Sequence, residues 1–247
     1  MGFSILFLQT GGGSMYTTKN YEQKYFSVLG DSISTLRGYS IPEDAAFYTH
    51  SNCLETGVFI PSDTWWGQVI ERLGGKLMVN DSFSGSTVCK HPQYEVPSYA
   101  CSTERTSDLG KYGCTPDVIM IFMGINDWGR GTPIASESED DLSRFSCAYE
   151  KMLKRLKEHY PEAELWCLTL PVSTCSESKA FRFPYSYGGI HIEEYSECIR
   201  SCVRKSNARL IELYDPEKPY DTVDGFHPTA RGMQTLAEAV LNQLGKE

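Results

Sequence analysis

Four short polar clusters carry side chains that could do chemistry together: Gly30-Asp31-Ser32, the run from Asn80 to Gly85, Gly124-Ile125-Asn126-Asp127, and Asp224-Gly225-Phe226-His227-Pro228. They supply a hydroxyl, a glycine amide, a side-chain amide, and an imidazole with a carboxylate. Acyl transfer needs these parts. A serine hydroxyl is a poor nucleophile until a base takes its proton. Imidazole suits that task near neutral pH. A carboxylate on its other ring nitrogen fixes the tautomer and stabilises the imidazolium. Asp224 and His227 stand three apart in a glycine-containing loop, so one short turn can present both. The tetrahedral intermediate then needs donors for its oxyanion, each worth roughly 3 kcal/mol. The backbone N–H groups of Ser32 and Gly85 and the side-chain amide of Asn126 are the candidates. Each cluster also has an ordinary structural reading. Ser32 could cap a helix, Asn126-Asp127 could make a turn, and His227 could precede a helix with Pro228 at its first position. Asp31 and Asp127 read as loop organisers.

The rest of the chain must bring these clusters to one place. Tyr25-Phe26-Ser27-Val28-Leu29 reads as a buried strand ending at Gly30. Trp65, Trp66, Val69, Ile70 and Leu73 recur at helical spacing, and Gly74-Gly75 closes that helix. Lys76 to Asn80 suits a second strand. Asp117 to Met123 is a third, and its unbroken apolar run fits a central parallel strand buried on both faces. Leu142, Phe145, Tyr149, Met152, Leu153 and Leu156 mark one face of a long helix ending before Pro161. Glu164 to Leu170 and Arg209 to Leu213 are further strands. Tyr195, Cys198, Ile199, Cys202 and Val203 stripe another helix, and Met233 to Leu244 mark the last. Alternation of strands and helices predicts an α/β fold: a three-layer α/β/α sandwich on a five-stranded parallel sheet, flavodoxin-like. Ligands bind such sheets beyond the carboxyl ends of the strands, which is where the first three clusters fall. Residues 1–20 read as a flexible leader or a misassigned start, with Met15 as an alternative first residue; residues 21–247 read as one domain.

The ordered set of clusters resembles the conserved blocks of the GDSL/SGNH hydrolase family, over about residues 25 to 245. Gly30-Asp31-Ser32-Ile33-Ser34 resembles the first block, whose serine is the nucleophile. Gly85 resembles the glycine of the second block. Gly124-Ile125-Asn126-Asp127 matches the third, whose asparagine supplies an oxyanion donor, and Asp224-Gly225-Phe226-His227-Pro228 matches the fifth, which holds the acid and base. One departure is Ser82, where many members carry another glycine. The resemblance implies hydrolysis of carboxylic esters through an acyl-enzyme on Ser32, with no metal and no organic cofactor.

Composition and the remaining motifs narrow the choice. A formal net charge of −9 argues against nucleic acid or an anionic membrane as a partner, since both demand clustered Lys and Arg. Nine scattered cysteines without a C-x-x-C pair fit reduced thiols, as in the cytoplasm, with secretion the alternative. A disulfide among Cys89, Cys101 and Cys114 stays open. His191-Ile192-Glu193-Glu194 begins like a metal-binding helix, but Tyr195 stands where the second histidine would be. No G-x-S-x-G elbow, phosphate-binding loop or dinucleotide fingerprint occurs. Two long loops, residues 36–62 and 171–189, bring Tyr39, Phe47, Tyr48, Phe59, Phe181, Arg182, Phe183, Tyr185 and Tyr187 towards the strand ends, and Trp128 follows the third cluster. Packing the loops against the sheet is the ordinary role of most of these aromatics; where several are exposed, flat faces suit a sugar or aryl group better than a long acyl chain, so the expected substrate is a short-chain ester, with acetyl on a carbohydrate as the specific case. Trp128, Tyr185 and Arg105 are the candidate substrate contacts, Arg105 having a salt bridge as its alternative role. A lipase, lysophospholipase or thioesterase on the same machinery is the alternative enzyme, and a carbohydrate-binding pseudoenzyme the alternative of another class. The sequence does not specify an oligomeric state.

Overall fold

A computed structural model describes residues 21–40, 43–91, 98–135, 138, 140–174 and 183–244. The leader assigned to residues 1–20, and the loop side chains Phe181 and Arg182, lie outside the described residues.

The elements run β1 (Tyr25–Gly30), α1 (Cys53–Thr56), α2 (Trp65–Arg72), β2 (Lys76–Ser82), α3 (Thr103–Ser107), β3 (Val118–Phe122), α4 (Ile125–Arg130), α5 (Phe145–His159), β4 (Glu164–Leu168), α6 (Ile192–Ser206), β5 (Arg209–Ile211) and α7 (Ala230–Leu244). The five strands are all parallel, in the order β2-β1-β3-β4-β5. The winding therefore reverses at β1, and right-handed crossovers send the two sets of helices to opposite faces. α2 packs with α7, and α5 packs with α6 and α3. The apolar run Val118–Phe122 is buried at every position, as a central strand covered on both sides requires.

The register decides where chemistry can happen. Gly30 pairs with Ser82 on one side and with Phe122 on the other. The ends of β1, β2 and β3 are thus level, and the three polar clusters that follow them leave the sheet side by side. This is the reversal point at which parallel sheets open a crevice.

Some boundaries differ from the sequence reading, each for a local reason. The long helix starts at Phe145 rather than near Leu142, because the N–H groups of Phe145 and Ser146 bond to the carbonyls of Pro133 and Ile134. Pro228 is not the first residue of α7. The helix begins at Ala230, and the Thr229 hydroxyl accepts from Gly232 N. The short helices α3 and α4 have too few apolar positions for periodicity to reveal them. Every described cysteine is a free thiol, including Cys89, Cys101 and Cys114. Among the described residues, no helix is long and apolar enough to cross a membrane.

Candidate active site

The chain leaves β1 through one 3-10 turn, Ser32–Ser34. Asp31 precedes it, and its Oδ1 accepts from Ile33 N at 3.0 Å. So Asp31, not Ser32, is the cap. Ser32 is the first residue of the turn, and its N–H has no partner within the turn. Gly30 is needed here because of close approach: a Cβ would lie 2.6 Å from Ser34 Cβ and 2.7 Å from Ser82 Oγ. The far side of the turn is fixed from below. Trp65 Nε1 donates to Ser34 Oγ at 3.1 Å, while Trp66 Nε1 and Asn80 Nδ2 both donate to Ser34 O at 2.9 Å. Both indoles come from the first turn of α2 and are fully buried. The aromatic pair at the helix start thus anchors the turn that carries the serine.

The loop before α7 presents the imidazole. Asp224 Oδ1 accepts from the N–H groups of Phe226 and His227, at 2.9 and 2.8 Å. Its Oδ2 lies 2.6 Å from His227 Nδ1, and His227 Nε2 lies 2.9 Å from Ser32 Oγ. An ionised carboxylate only accepts, so Nδ1 carries the ring proton and Nε2 accepts from the serine hydroxyl. Burial pushes the Asp224 pKa up, but the bonds and charge from His227, with the Phe226 amide, outweigh it and hold the group below its ordinary value. The carboxylate therefore stays ionised to orient the ring. Tyr220 OH donates to Phe226 O, and Tyr48 OH donates to Pro228 O, each at 2.9 Å. The two tyrosines pin the loop on both sides of His227.

The second and third clusters are joined to one another. Gly85 (φ 77°) sits in a tight turn closed by Ser86 N donating to Phe83 O at 3.0 Å. A glycine fits this left-handed position at no steric cost. Asn126 Nδ2 donates to Ser86 O at 2.9 Å, which sets the amide beside that turn and leaves its second N–H for another acceptor. Asp127 is fully buried and accepts from Val88 N at 2.7 Å and Cys89 N at 3.1 Å. Burial raises its pKa to about 6 despite those bonds. It welds the third cluster to the chain that follows the second.

Arg105 supports the same region from beneath. Its guanidinium donates to Asp81 Oδ2 and Asp81 O at 2.6 Å each, Ser86 Oγ at 2.8 Å, Ser98 Oγ at 2.6 Å and Gly30 O at 3.1 Å. A rigid fork of donors suits so many acceptors. Beside it lies Asp31, 1% exposed, whose Oδ2 has no partner. Burial drives the Asp31 pKa up to about 7; Asp127 adds to the rise, and the Ile33 amide and Arg105 oppose it.

The structure brings Ser32, His227 and Asp224 into contact, and ties Gly85 to Asn126 through Ser86. The three candidate substrate contacts fare differently. Arg105 is buried with every donor arm engaged, and its ion pair with Asp81 matches the salt-bridge alternative. Trp128 has no exposed surface; its Nε1 donates to Pro184 O and its ring packs on Phe183 and Phe226, which makes it the backing of a wall. Tyr185 is 48% exposed and meets the His191 ring edge-on. His191 itself caps α6, its Nδ1 accepting from Glu193 N. Among the described residues no group of His, Cys, Asp or Glu is arranged to hold a metal ion. Phe47, Tyr48, Trp65 and Trp66 shape the site without any motif announcing it. The loop 36–62 advertised its aromatics, but their partners lie up to 180 residues away.

The chain is similar to known proteins. The family described as GDSL-like Lipase/Acylhydrolase matches residues 24–174. A crystal structure from Bacteroides ovatus, described as that of a GDSL-like lipase, is 29% identical, with 92% of this chain and 100% of that one covered and a TM-score of 0.71. Another GDSL-like lipase structure so described, from Bacteroides uniformis, is 32% identical over 90% of this chain and 95% of that one, with a TM-score of 0.67. The curated "Cellulase/esterase CelE" of Acetivibrio thermocellus is 26% identical over 144 residues, 56% of this chain; the match spans only 15% of that relative's length.

Proposed function

Because the chain belongs to the GDSL-like lipase/acylhydrolase family, and so is an ester-splitting hydrolase, we propose that it works as a serine esterase with Ser32 as nucleophile, His227 as base and then acid, and Asp224 as the orienting carboxylate. The observation that carries this reading is the unbroken relay from Ser32 Oγ to His227 Nε2 (2.9 Å) and from Nδ1 to Asp224 (2.6 Å). In the reaction, His227 takes the hydroxyl proton as Ser32 attacks the ester carbonyl. The tetrahedral oxyanion accepts from Ser32 N, Gly85 N and the free N–H of Asn126. The base then gives its proton to the leaving alcohol, and water releases the acyl group by the same steps in reverse order.

We propose a short acyl group, acetyl on a carbohydrate being the specific case. Tyr39, Tyr185 and Tyr187 are exposed on the two long loops, residues 36–62 and 171–189, and flat aromatic faces suit sugars. A relative with both cellulase and esterase in its name supports the same choice. A panel of esters varying acyl length and alcohol, run on wild type and Ser32→Ala, decides. Acetyl esters of sugars should be the best substrates and Ser32→Ala should be inert. Equal rates on acetyl and dodecanoyl esters would reject the short-chain choice.

A further inference from the structure

The Phe47 ring lies flat on the His227 imidazole, with centroids 3.5 Å apart and planes 5° from parallel. The contact closes a circuit. Phe47 N donates to Thr35 Oγ1 at 2.9 Å, and the Thr35 hydroxyl donates to Ser32 O at 2.8 Å. From Ser32 the hydrogen bond to His227 returns to the stacked ring. The next residue, Tyr48, meets the Phe47 ring edge-on and bonds to Pro228 O. One segment, residues 47–48, thus touches the serine's turn through its backbone and the imidazole's loop through both side chains.

We infer that Phe47 is a positioning residue for the base: its ring holds the imidazole of His227 in the plane that meets Ser32, and its face favours the imidazolium that forms as the hydroxyl proton is taken. The inference rests on the proposed triad. An imidazole held only by its two ring nitrogens can still rock about the line joining them, and a flat ring against one face stops that motion. A cation over an aromatic face is also attracted by the ring quadrupole. The base is charged in the transition state and neutral before it, so this attraction acts mainly on turnover.

The other groups around the imidazole keep their chemical identity when Phe47 is replaced. They are Asp224 at Nδ1 and the Ser32 hydroxyl at Nε2. Tyr48 and Tyr220 bond to the loop that carries His227, and both feel the charges of Asp224 and Asp31. Any pH dependence that Asp31 contributes is common to wild type and variant, so the difference between their profiles reports the stack.

Phe47→Leu keeps an apolar group of similar bulk over the ring but removes the aromatic face. Phe47→Tyr keeps the face. For Phe47→Leu we expect kcat on a soluble ester to fall about fivefold or more, with KM within about twofold. The acid limb of the kcat/KM profile should move to lower pH by about half a unit, since the protonated base has lost a favourable contact. Phe47→Tyr should restore both. Thermal unfolding of each variant controls for lost packing, which lowers stability without moving the limb. An unchanged kcat and an unchanged acid limb in a folded Phe47→Leu enzyme would overturn the inference. His227→Ala separates the two layers: if it kept full turnover the triad itself would fail, whereas an inert His227→Ala beside a fully active Phe47→Leu would remove only the role of Phe47.

Discussion

Replacing Arg105 tests whether the site rests on a buried clamp. The guanidinium feeds five hydrogen bonds into Asp81, Ser86, Ser98 and Gly30, and both partners of its ion pair have side chains only 10% exposed. In Arg105→Met the Asp81 carboxylate stays buried without its counter-charge. Burial already pushes the Asp81 pKa up, and Arg105 is what opposes it. Removing one partner of a buried pair costs about 3 to 5 kcal/mol. For a chain of this size that is a fall of about 10 °C in Tm. Arg105→Lys keeps the charge, but an ammonium has three donors and no fork, so about 1 to 3 kcal/mol is expected. The same clamp holds Gly30, two residues before Ser32, and Ser86, next to Gly85. Turnover of Arg105→Lys well below its Tm should therefore fall about tenfold or more, because small displacements of reacting groups are costly. Thermal and urea unfolding at pH 7, with kcat and KM measured at 25 °C, would decide. A loss under about 1 kcal/mol for Arg105→Met would refute the clamp. A rise in KM alone, with kcat and Tm intact, would show that the side chain touches substrate after all.

Two further outcomes follow from the turn that carries Ser32. Asp31 has a folded pKa of about 7 against an ordinary value of 3.8, so the fold favours its neutral form. The stability this lends is fully present below about pH 4 and is lost as pH rises through 7, at most roughly 1.4 kcal/mol per unit. Asp31→Asn keeps an oxygen for Ile33 N but has no proton to lose, so urea titrations between pH 5 and 8 should show a flatter dependence than wild type; parallel curves would refute the assignment. Gly30→Ala must place a Cβ within 2.6 Å of Ser34 Cβ. It should lower both Tm and turnover, by overpacking on the order of 1 to 3 kcal/mol, and a variant as stable and active as wild type would mean the turn has room to shift.

Much of this architecture could be read before any coordinates. Val118–Phe122 announced a central strand because burial on both faces removes every polar position. Trp65, Trp66, Val69 and Ile70 announced a helix because one face of α2 is core. The polar clusters were legible because their residue types are rarely needed together for packing alone. What stayed hidden depends on distance through space. Nothing near Phe47 in the chain reveals that its ring will meet His227, 180 positions later, and nothing near Arg105 specifies that five acceptors converge on it. Arg105 and Trp128 drew attention as polar or aromatic residues near the clusters, yet both are buried supports. Sequence proximity to a site does not say on which side of its wall a side chain lies. The short helix α4 has no such signal either, because its six residues are bounded by the positive-φ glycines Gly124 and Gly131 and not marked by an apolar stripe.

The central claim is that the residue 32 hydroxyl is activated by the relay through His227. A fluorophosphonate reacts far faster with a serine activated by a base than with an ordinary one, so treating the full chain with one and mapping the product by peptide mass spectrometry tests the claim most directly. The account predicts a single adduct on Ser32, formed in step with loss of esterase activity and absent from His227→Ala. An adduct on a different residue, or complete loss of activity with Ser32 unmodified, would contradict it.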